Sequence, residues 1–160
     1  MFWRVVDRVG GRRRAGSPGG GIPTSSIASY AYGMAPVLIV EDERDVREAT
    51  VAMFQNAGYE AVGANNGRVA MNLLRTGSVS PCLILLDLWM PEMDGWAFRA
   101  AQLCDKDLAR IPVVVLSAAG RSDVDAAVES MRALAGVTKP VDWDELLRLV
   151  EQKCRPATLH

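Results

Sequence analysis

The stretch LILLDLWMPEMDGW, Leu83 to Trp96, decides the fold. Four apolar residues run without interruption into a single acid, Asp87. An unbroken apolar run, rather than an alternating one, marks a strand covered on both faces. A turn carrying Pro91 follows, and then Asp94 stands before Gly95 and a helical apolar pattern, where its side chain is placed to cap. The stretch therefore reads as strand, loop and helix, with a carboxylate aimed out of the carboxyl end of a buried strand.

The same alternation extends in both directions. VLIV (37–40) is a short buried strand, and 45–57 carries Val46, Ala49, Met53 and Ala57 on one helical face, ended by Gly58. EAVGA (60–64) is a weak strand, followed by a helix over 66–76. After 82–87 and a helix to about 103, IPVVVLS (111–117) is the fourth strand, and Ser122 is expected to cap the helix to about 133. AGVT (135–138) makes a poor fifth strand. DWDE (142–145) resembles a capping box for the last helix, to about 153. Successive βα units of this length cross over right-handed. They imply an α/β, doubly wound, five-stranded parallel sheet in the order 2-1-3-4-5, with its ligand site outside the carboxyl ends of strands 1 and 3.

The chain of 160 residues is long enough for one domain with length to spare. Its net charge of -1 conceals an asymmetry: residues 1–35 hold five arginines against Asp7, while the remainder holds 13 basic and 18 acidic residues. An acidic body argues against a nucleic-acid surface. No stretch of about 18 apolar residues occurs, so no membrane span is expected. Residues 1–33, rich in Gly, Ser, Pro and Arg, read as a disordered basic tail. Met34, just before APVLIV, reads as the true start with residues 1–33 an artefact of start assignment, against the rival reading of a real basic arm that touches an acidic partner; the domain spans 34–154, with a short tail at 155–160. Cys82, Cys104 and Cys154 form no CxxC pair and read as reduced thiols of a cytoplasmic protein. His160 is the only histidine, which removes any His-based dyad or metal site within the domain.

The strand ends gather a particular chemistry. Strand 1 ends in Glu41, Asp42 and Glu43, strand 3 in Asp87, strand 4 in Ser117, and strand 5 in Thr138 and Lys139 before Pro140. Neighbouring strands lie about 4.8 Å apart, so the acids of strands 1 and 3 fall within one ion's reach. Crowded carboxylates repel, so at least one should hold its proton more tightly, and a hard divalent cation such as Mg²⁺ would relieve them. An ammonium and a hydroxyl across the cleft complete an arrangement suited to phosphoryl transfer onto a carboxylate. Glu43 is expected to face solvent. Trp96, Phe98 and Trp143 read as packing groups, and Met90, Met93 and Met131 as core or loop filling.

Together, VLIVEDE, LILLDLWMPEMDG, VVVLSA and TKPVDWDELL resemble the motifs of response-regulator receiver domains of two-component signalling, in order and at family-like spacing over 36–153. The resemblance implies a flavodoxin-like receiver fold of the stand-alone type. Asp87 would be the phospho-acceptor. Glu41, Asp42, Asp87 and the backbone carbonyl of Trp89 would hold Mg²⁺, Ser117 would bond the phosphoryl group, and Lys139 would pair with it. A cis Lys139–Pro140 bond is implied as well. Phosphoryl would come from a histidine kinase or a histidine phosphotransfer protein, and the output would pass to a downstream protein target through surface contacts. Two departures stand out. Gly136 occupies the place of the family's usual switch aromatic and reads as loosening strand 5. Trp89, two positions after Asp87, reads as a shield that slows hydrolysis of the phosphorylated form.

Three other functions compete. A dinucleotide-binding enzyme needs GxGxxG after strand 1, where EDERDV stands instead. An aspartyl phosphatase of the haloacid-dehalogenase kind would need a second Asp where Trp89 stands. A degenerate receiver that binds partners without phosphorylation is favoured by Gly136 and opposed by the intact acid set.

Overall fold

The computed structural model describes residues 35–154. The basic tail expected at 1–33 and the short tail at 155–160 lie outside the described residues. Five strands alternate with five helices: β1 (Val37–Val40), α1 (Arg44–Asn56), β2 (Ala61–Ala64), α2 (Gly67–Arg75), β3 (Leu83–Asp87), α3 (Gly95–Leu103), β4 (Val113–Ser117), α4 (Arg121–Met131), β5 (Ala135–Thr138) and α5 (Trp143–Cys154). A single 3-10 turn, Leu108–Arg110, precedes β4. All strand pairs are parallel, and the order is β2-β1-β3-β4-β5. This is the doubly wound fold expected from the alternating runs.

The central strands β1, β3 and β4 are buried throughout, and their side chains alternate between two core layers with the two-residue period of a strand. Leu38, Val40, Ile84, Leu86, Val113 and Val115 join Ala70, Met71, Phe98 and Met131 on one face of the sheet. Val37, Ile39, Leu83, Leu85, Val114 and Leu116 join Phe54, Leu146 and Val150 on the other. Phe54 and Phe98 are wholly buried, one in each layer, and Trp143 packs on Phe54 with ring centroids 4.7 Å apart. Removing a fully buried aromatic ring from such a layer costs about 3–5 kcal/mol.

Helix ends match the sequence reading with one exception. Asp94 Oδ1 accepts from the Ala97 N–H at 2.8 Å, Asn66 Oδ1 from Val69 N–H at 2.8 Å, and Asp142 Oδ1 from Glu145 N–H at 3.0 Å. Ser122, expected to cap α4, lies inside it. The cap is Gly120, whose carbonyl accepts from the N–H groups of Asp123 and Val124, and it supplies no side-chain bond. The carboxyl end of α4 is held instead by a buried cation. Arg99 of α3 donates from Nε to the Met131 carbonyl (2.9 Å) and from Nη2 to the Arg132 carbonyl (2.8 Å), and from Nη1 to Gln102 Oε1 (2.7 Å). Gln102 passes its amide hydrogens to the Leu108 and Ile111 carbonyls. The negative end of the α4 dipole favours a cation there, while burial pulls the guanidinium below its ordinary value.

Two expectations are corrected. Cys82 and Cys154 are not free thiols: they form a disulfide, with Cα atoms 5.2 Å apart. The start of β3 and the end of α5 meet at the same rim of the sheet, which their separation of 72 residues conceals. Cys104 is free and exposed. Gly136, in turn, does not loosen β5. It is buried, and a Cβ there would stand 2.3 Å from Val124 Cγ1 and 2.8 Å from Val128 Cγ2. The missing side chain lets α4 lie directly on the strand. Among the described residues no helix is long and apolar enough to cross a membrane.

Candidate functional site

Register brings the chemistry to one end of the sheet. Val40 pairs with Leu86, Asp87 with Leu116, and Ser117 with Thr138, so the carboxyl ends of β1, β3, β4 and β5 emerge along one edge of the sheet. Carboxylate oxygens of Glu41, Asp42 and Asp87 lie within 4.8 Å of one another. Glu41 and Asp87 are buried, whereas Asp42 is exposed at the rim. Glu43 points to solvent, as expected, and its N–H donates to Glu41 Oε1 at 3.3 Å.

Lys139 reaches back across the cleft. Its Nζ lies 2.7 Å from Glu41 Oε2 and 3.3 Å from Asp87 Oδ2, and the side chain is 26% exposed. The Lys139 N–H donates to the Ser117 carbonyl at 2.8 Å, and the Lys139–Pro140 bond is cis, as the motif implied. Ser117 is fully buried, and its Oγ accepts from the Ala119 N–H at 3.1 Å. Asp87 Oδ1 also accepts from the Trp89 N–H at 3.3 Å, although Trp89 itself is 69% exposed.

The loop after β3 is held down by Gly95. Its N–H donates to the Leu88 carbonyl at 3.0 Å, and a Cβ at this position would lie 2.5 Å from the Asp87 carbonyl oxygen. Only glycine permits this closeness, which keeps the acid's backbone tied to the start of α3.

The electrostatics are those of two buried acids, Glu41 and Asp87, sharing the Lys139 ammonium. Desolvation pushes the Glu41 carboxyl above its ordinary value, the Asp87 charge adds to the rise, and Lys139 offsets part of it. For Lys139, burial favours the neutral amine. The Glu41 hydrogen bond and the nearby Asp87 and Glu41 charges oppose that, leaving the ammonium raised. The donor set consists of hard oxygens with a spare carboxylate charge, which suits Mg²⁺. A cavity of 390 Å³ opens behind Glu41 and Lys139 between α1 and α5, walled by Val46, Ala49, Met53, Val141 and Trp143.

All the side chains singled out from the sequence, Glu41, Asp42, Asp87, Ser117 and Lys139, thus arrive at this end of the sheet. One neighbour was not singled out. Arg47, in the first turn of α1, bonds the carbonyls of Glu41 and Asp42. The only signal available was a basic residue six positions after the first acid.

A doubly wound sheet with clustered acids and an opposed lysine at its carboxyl end defines the receiver class of signalling domains. The chain belongs to the response regulator receiver domain family, whose model matches residues 37–151. Among curated proteins it is 38% identical over 118 residues to the regulatory protein AtoC of Escherichia coli, covering 72% of this chain and 24% of that protein. It is 30% identical over 117 residues to sporulation initiation phosphotransferase F of Bacillus subtilis, covering 72% of this chain and 90% of that one. The chain spans only about a quarter to a half of several larger regulators that it matches. Among solved structures, chemotaxis protein CheY4 of Vibrio cholerae aligns at 26% identity with a TM-score of 0.66, over 76% of this chain and 99% of that one. Response regulator TrrA of Thermotoga maritima, solved in complex with Mg²⁺-BeF, aligns at 28% identity and 0.63, over 74% and 98%.

Proposed function

We propose that this receiver domain accepts a phosphoryl group on Asp87, with Mg²⁺ held by Glu41, Asp42, Asp87 and the Trp89 carbonyl, and passes the signal on through protein contacts. The observation that carries this reading is the convergence of three carboxylates on one point with Lys139 across from them. The Mg²⁺-BeF complex of TrrA supports it by likeness.

An Asp87 carboxylate oxygen would attack phosphorus in line, forming an acyl phosphate as the bond from phosphorus to the donor breaks. The donor would be a phosphohistidine on a histidine kinase or phosphotransfer protein, since His160 lies outside the described residues and the domain itself holds no histidine. Bound Mg²⁺ would supply positive charge to the phosphoryl oxygens. Lys139 would leave its contact with Asp87 to pair with one such oxygen, and the Ser117 hydroxyl would turn from the Ala119 N–H to bond another. Because the acyl phosphate hydrolyses slowly, the product is a signalling state rather than turnover. It adds about -1.5 to -2 charges at the mouth of the sheet. A cytoplasmic location belongs to the same proposal, and the Cys82–Cys154 bridge bears on it because reducing compartments keep such pairs open.

A second reading, a binding module that works without phosphorylation, rests on Gly136 standing where a switch aromatic is usual. One experiment separates the two. Tryptophan fluorescence is followed as Mg²⁺ and beryllofluoride are added, and intact mass is measured after acetyl phosphate. The wild type should respond and gain one phosphoryl group, while Asp87→Ala should do neither. Equal behaviour of the two proteins would remove Asp87 from the mechanism.

A further inference from the structure

Three carboxylates crowd the β1–α1 loop, yet α1 begins without a side-chain cap: Glu43 holds the cap position and makes no such bond. Something else must keep the loop in place. Arg47 Nη1 donates to the Glu41 carbonyl at 2.8 Å and to the Asp42 carbonyl at 3.1 Å. Its aliphatic stem lies across β2 at Gly63, where a Cβ would stand 3.0 Å from Arg47 Cγ and 3.1 Å from Cδ. The empty face of Gly63 is therefore the seat of the stem, and the edge strand steers the guanidinium beneath the loop. The Glu41 N–H, bonded to the Ala64 carbonyl at 3.0 Å, ties the same residue to β2 from its other side.

We infer that Arg47 is a positioning residue for the metal site: it grips the main chain of the two β1 acids from behind, fixing where their carboxylates point. It touches neither the ion nor the phosphoryl group. The inference rests on the Mg²⁺ reading proposed above, and it makes a prediction with a definite sign. A guanidinium near a cation site repels Mg²⁺, so if Arg47 acted only as a charge its removal would tighten binding. If it acts by holding the loop, removal weakens binding. Groups that orient metal ligands from outside the coordination shell are commonly worth 10–100-fold in affinity.

The test is Mg²⁺ titration of the full chain, read by tryptophan fluorescence, with urea unfolding run in parallel. Arg47→Met, which keeps the stem and loses the donors, should raise the Mg²⁺ dissociation constant about 10-fold. Arg47→Lys, which keeps a donor, should recover part of the loss. Gly63→Val keeps the charge but displaces the stem, and should weaken binding in the same direction even if Arg47→Met folds poorly. Unchanged or tighter binding in Arg47→Met, or wild-type affinity in Gly63→Val, would overturn the assignment. Failure of the wild type to bind Mg²⁺ at all would overturn the metal reading instead, and the two failures are distinct.

Discussion

Replacing Gly136 by alanine should destabilise the fold, against the local preference of the backbone. A glycine inside a strand is less favourable than alanine by roughly 0.5–1 kcal/mol, so propensity alone predicts a gain. The packing predicts a loss. A new Cβ would sit 2.3 Å from Val124 Cγ1 and 2.8 Å from Val128 Cγ2, where carbon atoms rest comfortably at about 3.5–4.0 Å. α4 would have to lift by about 1 Å. Its carboxyl end resists, because Arg99 binds the Met131 and Arg132 carbonyls from within the core. Overpacking of this kind costs about 1–3 kcal/mol, so the net loss should be about 1–2 kcal/mol. For a domain of this size that lowers Tm by about 4–8 °C. Urea unfolding, followed by fluorescence of Trp143 against Phe54, gives the measurement. Val124→Ala should also destabilise by opening a cavity. In the double variant the new methyl occupies that cavity, so the combined loss should fall short of the sum by about 1–2 kcal/mol. A neutral or stabilising Gly136→Ala, or additivity of the pair within about 0.5 kcal/mol, would refute the idea that α4 rests on the bare strand.

Opening the Cys82–Cys154 bridge should cost up to about 4 kcal/mol, the loop-closure entropy for a separation of 72 residues; urea midpoints with and without reductant check it, and a reductant-insensitive wild type would contradict the bridge. In metal-free protein, Glu41 titrates above 4.5 in the folded chain, so between that value and its raised one the folded state holds a proton the unfolded state has released. Its contribution to stability is present below pH 4.5 and lost as pH rises through the folded value. Glu41→Gln should therefore stabilise the metal-free protein at neutral pH relative to its effect at pH 4, measured by urea midpoints across that range. Lys139 works at the other end: its raised value gives stability present below pH 10.5 and lost above it, which Lys139→Met should abolish. Trp89→Asn should speed loss of the phosphoryl group, tenfold for each 1.4 kcal/mol or so that the ring adds to the barrier; an unchanged decay rate would end the shielding idea.

Much of this protein was legible as text. Hydrophobic runs and helical periodicity are local properties, so the five βα units and their order could be read from them, and the strand-end acids followed because strands end where the apolar run stops. Asp94 and Asp142 declared their caps by position for the same reason. Ser122 misled because Gly120 two residues earlier already starts the helix with its carbonyl.

What the chain could not announce were contacts between distant segments. Cys82 meets Cys154 across 72 residues, and Lys139 meets Glu41 across 98, yet only the second was anticipated, because its motif marked it. Gly136 read as a weakness in a poor strand, and only the approach of Val124 and Val128 turns it into a requirement. Arg47 was one more surface arginine until the bare face of Gly63 and the carbonyls of Glu41 and Asp42 gave it a seat. The amino-acid sequence by itself determined which elements form and which charged groups end them, since those depend on neighbours along the chain. Only the tertiary structure decided what presses against what, since interatomic distances between packed layers depend on every element at once.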